Sequence, residues 1–257
     1  MNKLLLSFLF TILLAVAVSG CGPSSSPTAT LLPPTATPLP PVQTTPSVDL
    51  PDLLARLHWL GHASFRLDGP PTIYFDPATR LEDEPPQADI ILISHAHNDH
   101  YFPPVLKRIS KPETVIVTTS LVATLAPADG IPGQVRGLRP GERTTVGEVE
   151  IEAVPAYNIG KSFHPKEAET LGFIVTLQGW RLYFAGDTDL IPEMADIRAD
   201  VALLPVGGTY TMDAKEAAQA AATIKPRVVV PMHTLDADLE QFRSLCNCDV
   251  IIMKEER

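Results

Sequence analysis

Three histidines and an aspartate crowd into the run Ser94-His95-Ala96-His97-Asn98-Asp99-His100. Neutral imidazole and carboxylate are donors that suit zinc and similar transition metals. Burying several of them together without a cation is expensive. The apolar run Ile90-Ile91-Leu92-Ile93 leads straight into them. Such a run, rich in β-branched residues and bounded by polar ones, reads as a buried strand. The donors therefore stand where a rigid strand gives way to a loop, a place from which side chains can be aimed at one point. Two further strand ends finish on a ligand-type residue: Tyr183-Phe184-Ala185-Gly186-Asp187 and Val228-Val229-Val230-Pro231-Met232-His233. Gly186 permits a turn and a close backbone approach there. The convergence of three strand ends says more than any one of them.

The elements that must hold these donors are legible in outline. Short strands are expected at Leu57–Leu60, Ser64–Leu67, Thr72–Phe75, Ile90–Ser94, Thr114–Thr118, Glu148–Val154, Val201–Pro205 and Val228–Met232, with another near Val250–Met253. Phe173–Leu177 and Arg181–Ala185 flank Gln178-Gly179 and read as a hairpin. Helices are expected around Pro103–Ile109 and Leu121–Ala126. A capping box at Asp213–Glu216 opens an Ala-rich helix to Ile224, and a short helix follows Asp238. Hairpins that later give way to strand–helix alternation favour packed sheets with helices outside.

The 257 residues divide unevenly. Residues 1–21 have a basic start, an apolar run of about fifteen residues, and Val18-Ser19-Gly20-Cys21, which resembles a bacterial lipoprotein cleavage box. That resemblance implies a lipid on Cys21, attachment to a membrane and an extracytoplasmic place in the cell envelope. Residues 22–51, dominated by Pro, Ser, Thr and Ala, read as a disordered tether. Residues 52–257 are long enough for one sizeable core. The formal charge of −10 and the lack of a basic stripe exclude nucleic acid as a partner. A small-molecule substrate remains. Cys246 and Cys248, separated by one residue, read as small apolar fillers because a bridge across so short a span is disfavoured.

His95-Ala96-His97-Asn98-Asp99-His100, with Gly186-Asp187-Thr188 and the late His233, resembles the metallo-β-lactamase superfamily, whose signature is His-x-His-x-Asp-His. The likeness runs from Gly61-His62-Ala63-Ser64 and Phe75-Asp76-Pro77 to His233. It is nearest the lactonase-like and phospholipase D-like hydrolases of that superfamily. The resemblance implies an α/β fold, a four-layer αβ/βα sandwich, with two divalent metals in a groove. It places His95 and His97 on one metal, Asp99, His100 and His233 on the other, and Asp187 between them. It further implies a metal-activated hydroxide that attacks an ester, lactone or phosphodiester, with Asp99 and Asp187 as the catalytic carboxylates. Zinc is the foremost metal, with manganese or iron as alternatives. A metal- or ligand-binding protein that keeps the fold without catalysis is the competing reading.

One departure from the family pattern stands out. The third histidine expected between the two halves is replaced in Val154-Pro155-Ala156-Tyr157-Asn158-Ile159 by Asn158. His164, six residues on, is the displaced ligand in one reading. In the other it faces substrate or solvent, and Asn158 or water completes the site. His62 either stands at the rim of the site or hydrogen-bonds a ligand, or it has a structural role. Asp76 is either a partner that fixes the tautomer of a metal-bound histidine or a turn carboxylate. Thr188 and Tyr210 are candidates for supporting the site or meeting substrate. The loops Asn158–Thr170 and Arg80–Ala88 are expected to wall the pocket.

Overall fold

The computed structural model describes residues 46–79, 81 and 83–256. The expected signal segment, its Cys21 and most of the tether lie outside the described residues.

Six strands, β1 (Leu57–Gly61), β2 (Ser64–Leu67), β3 (Ile73–Phe75), β4 (Ile90–Ile93), β5 (Val115–Thr119) and β6 (Gln134–Leu138), form one sheet in sequence order. Seven more, β7 (Arg143–Val146), β8 (Val149–Pro155), β9 (Leu171–Leu177), β10 (Trp180–Phe184), β11 (Val201–Pro205), β12 (Val228–Met232) and β13 (Asp249–Val250), form a second sheet, also in sequence order. The first part of each sheet is antiparallel. Then β3 to β6 run parallel in one, and β10 to β13 run parallel in the other. Helices α1 (Leu50–Ala55), α2 (Pro103–Ile109), α3 (Ser120–Ala128), α4 (Ala214–Ile224) and α5 (Leu239–Leu245) complete the fold. None of the described helices is long and apolar enough to cross a membrane.

β4 shows why its sequence is continuously apolar. Ile90 and Leu92 join the core shared with the second sheet, where the Phe75 and Phe184 rings meet at 5.4 Å. Ile91 and Ile93 point the other way, into a core with Val105, Leu106 and Ile109 of α2 and Val122 and Ala126 of α3. A strand covered on both faces has no polar side. Outside the second sheet, α4 buries Ala217, Ala220, Ala221 and Ile224. It starts at the expected capping box: Asp213 Oδ1 accepts from Glu216 N at 2.8 Å, and Glu216 Oε2 accepts from Asp213 N at 3.0 Å. Helix, sheet, sheet and helix make the four layers expected of the sandwich.

Two expectations are corrected. The tether does not run to residue 51: Ser47 N donates to Gln178 O, Trp180 Nε1 donates to Val48 O, and Leu53 of α1 is buried. Cys246 and Cys248 are joined in a disulfide. The chain turns as α5 ends, bringing their Cα atoms to 5.3 Å, within bridging reach.

Candidate metal centre

The parallel strands of both sheets deliver the donors at their C-terminal ends. His95, His97, Asp99 and His100 follow β4. Asp187 follows β10, and His233 follows β12 directly. The sheets are stitched together at this edge. His233 N donates to His62 O at 3.0 Å, and Leu171 N donates to Ser94 O at 3.0 Å. Gly186 is required beneath this stitch. Its φ is +64°, and a Cβ there would lie 2.6 Å from Leu171 O and 3.2 Å from Ser94 Cβ.

Beside a buried trio of Asp76, His95 and His100, two groups of donor atoms result. In the first, His164 Nε2 lies 3.2 Å from His95 Nε2 and 3.0 Å from His97 Nδ1, and the last two atoms are 3.0 Å apart. Three nitrogens this close cannot all be satisfied by shared protons. A tetrahedral ion with metal–nitrogen bonds of about 2.0–2.1 Å sets its ligands about 3.3 Å apart, so the triangle suits such an ion. The second group gathers His62, Asp99, His100 and His233. Between the groups sits buried Asp187, whose Oδ2 is 3.6 Å from His164 Nε2, 3.4 Å from His100 Nε2 and 3.3 Å from His233 Nε2. His100 Nε2 and Asp187 Oδ1 are buried without a hydrogen-bond partner. Orphaned buried donors and acceptors of this kind call for an explanation such as an ion, and this donor set fits divalent metal.

Asp76 sits behind both groups. Its carboxylate accepts from Ser94 N at 2.7 Å and Ser94 Oγ at 2.5 Å, and it meets His100 Nδ1 at 2.7 Å. With that contact a donated Nδ1–H, His100 turns its Nε2 to the centre as the ligand atom. Ser94 Oγ also lies 2.8 Å from His95 Nδ1. Burial pushes the Asp76 carboxyl up, against the pull of His100 and Ser94. Burial disfavours charge on His100 as well, but the carboxylates of Asp187 and Asp76 outweigh it and hold that ring well above the usual histidine range. His95 and His164 are pushed down by burial, toward the neutral form that can coordinate. Asp99 is held well below the usual carboxylate range chiefly by His62, whose Nε2 is 3.1 Å from its Oδ2.

The departure at Asn158 has a structural counterpart. Asn158 belongs to neither donor group. Its buried amide donates to Phe163 O at 3.0 Å and to Tyr210 O at 2.7 Å, and its backbone N donates to His164 O at 2.8 Å. It clamps the loop that carries His164 inward. Thr188 is fully buried and bonded to the backbone of Tyr157 and Asp189, and it is not part of the cleft lining. A cleft of about 270 Å³ opens over the centre, lined by His97, Asp99, Phe163, His164, Asp187, Tyr210 and His233. The described part of the loop 80–88 does not line it. Pro86, Gln87 and Ala88 are tied instead to Tyr74 and the end of α2. His62 stands at the rim, hydrogen-bonded to the candidate ligand Asp99, and Phe163 lines the cleft from the loop Asn158–Thr170, each in keeping with one expectation.

Residues 56–233 match the family described as Beta-lactamase superfamily domain, and the chain belongs to it. A UPF0173 metal-dependent hydrolase of Methanoculleus marisnigri is 38% identical over 203 residues, covering 73% of this chain and 87% of its own. Another, from Thermococcus onnurineus, is 34% identical over 220 residues, covering 78% and 97%. A solved structure from Parabacteroides distasonis, itself proposed to be a metal-dependent hydrolase, is 34% identical with a TM-score of 0.69, covering 78% and 93%. With this fold, family and donor set, the chain is a metal-dependent hydrolase. The expected localisation, lipid-anchored at the cell envelope, is overturned by these relatives. The Thermococcus protein spends 97% of its length on the match. That leaves no room in it for a counterpart of a 21-residue leader and a tether.

Proposed function

We propose that the chain is a binuclear hydrolase of a small ester, lactone or phosphodiester, with zinc as its metal. The observation that supports this reading is the disposition of donors. Two groups of imidazole nitrogens flank one buried carboxylate oxygen, Asp187 Oδ2, at 3.3–3.6 Å. His95, His97 and His164 would hold one ion. His62, Asp99, His100 and His233 would contribute to holding the other, with Asp187 reaching both. Ions there would supply Lewis acidity, lowering the pKa of water and polarising the substrate's reacting centre.

The chain's own groups supply orientation and proton handling. Asp99 is the carboxylate at the cleft mouth, with its side chain 55% exposed. His62 keeps it ionised, so it is ready to accept a hydrogen bond from water entering the cleft and to orient that water. Asp76 holds His100 in one tautomer, and Asn158 holds the His164 loop closed over the centre. The experiment that tests the reading is elemental analysis of the full chain and of His164→Ala, purified in the presence of zinc. The expected result is about two ions per chain in the wild type and about one in the variant. Equal content in both would remove His164 from the donor set.

A further inference from the structure

We infer that Phe163 and Tyr210 form an apolar seat that selects an uncharged substrate, so that the bond hydrolysed is that of a neutral carboxylic ester or lactone and not a phosphodiester. This rests on the hydrolytic reading above and narrows its substrate. The cleft lining has two parts. Five residues belong to the donor groups or bridge them, and the other two, Phe163 and Tyr210, are aromatic. Their rings meet edge to face, with centroids 4.8 Å apart and planes at 84°. They remain 45% and 37% exposed, although large aromatic side chains are favoured in the core. Neither position is accidental. The single buried amide of Asn158 holds the backbone carbonyls of both residues, which are far apart in sequence.

Charge points the same way. Among the described residues neither Lys nor Arg lines the cleft. The two lysines of the overhanging loop are engaged elsewhere. Lys161 Nζ donates to Asp189 Oδ1, Gly208 O and Thr211 O, and Lys166 Nζ donates to Glu193 Oε1. A phosphodiester anion would find no cationic side chain beyond the centre, whereas a neutral apolar group finds two ring surfaces. In the reaction a bond forms between the water oxygen and the ester carbonyl carbon, and the carbonyl carbon–alkoxy oxygen bond breaks. One water proton leaves with the alcohol, and the other is released as the acid ionises.

The test compares phenyl acetate with bis(4-nitrophenyl) phosphate on the zinc-loaded full chain, for wild type, Phe163→Ala, Tyr210→Ala and Leu121→Ala. Leu121 is more exposed than either, at 60%, and lines no part of the cleft. A second readout is the Kd of N-phenylacetamide, a neutral analogue, measured by ligand-observed NMR on the metal-free chain. The expected result is a higher kcat/KM for phenyl acetate than for the phosphodiester. The two cleft variants should raise KM and Kd about tenfold, with a smaller change in kcat and no such rise in Leu121→Ala. Preference for the phosphodiester, or a KM and Kd indifferent to both cleft variants, would overturn the seat and leave the hydrolase standing. Turnover of neither compound, with Kd still weakened tenfold in the variants, would uphold the seat and overturn the hydrolytic reading.

Discussion

Replacing Asp76 by Asn probes how the centre is held. The change preserves shape and one carboxyl oxygen, and it alters no residue of the cleft lining. The native carboxylate is completely buried and receives Ser94 N at 2.7 Å, Ser94 Oγ at 2.5 Å and His100 Nδ1 at 2.7 Å. In Asp76→Asn the retained oxygen can still serve Ser94 N. The new amide N–H groups face the His100 Nδ1–H, and a buried donor is left without an acceptor. Stranding one such group costs about 1–3 kcal/mol. For a domain of this size each kcal/mol lowers Tm by about 2–4 °C, so a fall of about 4–8 °C is expected for a midrange loss. His100 is also released from its fixed tautomer, and loss of such an outer partner typically weakens metal binding about 10–100-fold.

Two measurements separate these effects: thermal melting of the metal-free chain, and zinc affinity by competition with a chelator. Ser64→Ala is the comparison, because Ser64 Oγ donates to the backbone O of Asp76 at 2.6 Å and touches no donor ring. It should lower stability by about 1 kcal/mol and leave zinc affinity at the wild-type value. If Asp76→Asn melts lower but binds zinc as tightly as wild type, the carboxylate is a structural strut, and the argument that it orients His100 is wrong.

The remaining predictions concern the frame. Asp89 is disfavoured in its charged form by burial, yet Lys111 Nζ at 2.6 Å and Thr72 N at 2.9 Å outweigh this and hold it below its ordinary range. A carboxyl depressed in the folded state stabilises above its unfolded pKa of about 3.9, and that stability is lost as pH falls through the folded value. Asp89→Asn should therefore be less stable than wild type at pH 7 in urea titrations, with the difference closing on acidification below about pH 4. A gap that widened with acid would reverse the assignment. Gly186→Ala puts a side chain at φ +64° and 2.6 Å from Leu171 O. The left-handed backbone alone costs about 1–2 kcal/mol, so a lower urea midpoint is expected, with weaker zinc binding because Asp187 is the next residue. A variant as stable as wild type would show that the stitch between the sheets is slack there.

Much of the frame was legible because buried elements write their surroundings into their composition. β4 is apolar at every position because both its faces are covered. The α4 capping box and the Gln178-Gly179 hairpin declare themselves within a few residues. β6 and β7 carry no such mark. Gln134–Leu138 and Arg143–Val146 lie largely in half-exposed positions, and backbone pairing to β5 and β8 makes them strands. The donor residues were legible by type and spacing. The meeting of Phe163 with Tyr210 was not, since it depends on a hydrogen-bonded amide remote from one of them in sequence.

Backbone conformation is the part of the site that residue types conceal most fully. His62, Asp76, His164 and His233 all adopt left-handed backbone, with φ of 51°, 40°, 52° and 46°. None is glycine, so each pays a steric penalty of about 1–2 kcal/mol that local sequence does not repay. Each is pinned by a backbone bond to another part of the centre or its frame: His62 O to His233 N, Asp76 N to Leu92 O, and His164 O to Asn158 N. The first of these ties joins the end of β1 in one sheet to the end of β12 in the other. Neither residue can relax alone without parting the sheets at the edge where the donors meet. The second donor group is therefore drawn from both sheets and tied across them by this bond, so neither sheet by itself could hold that group in place.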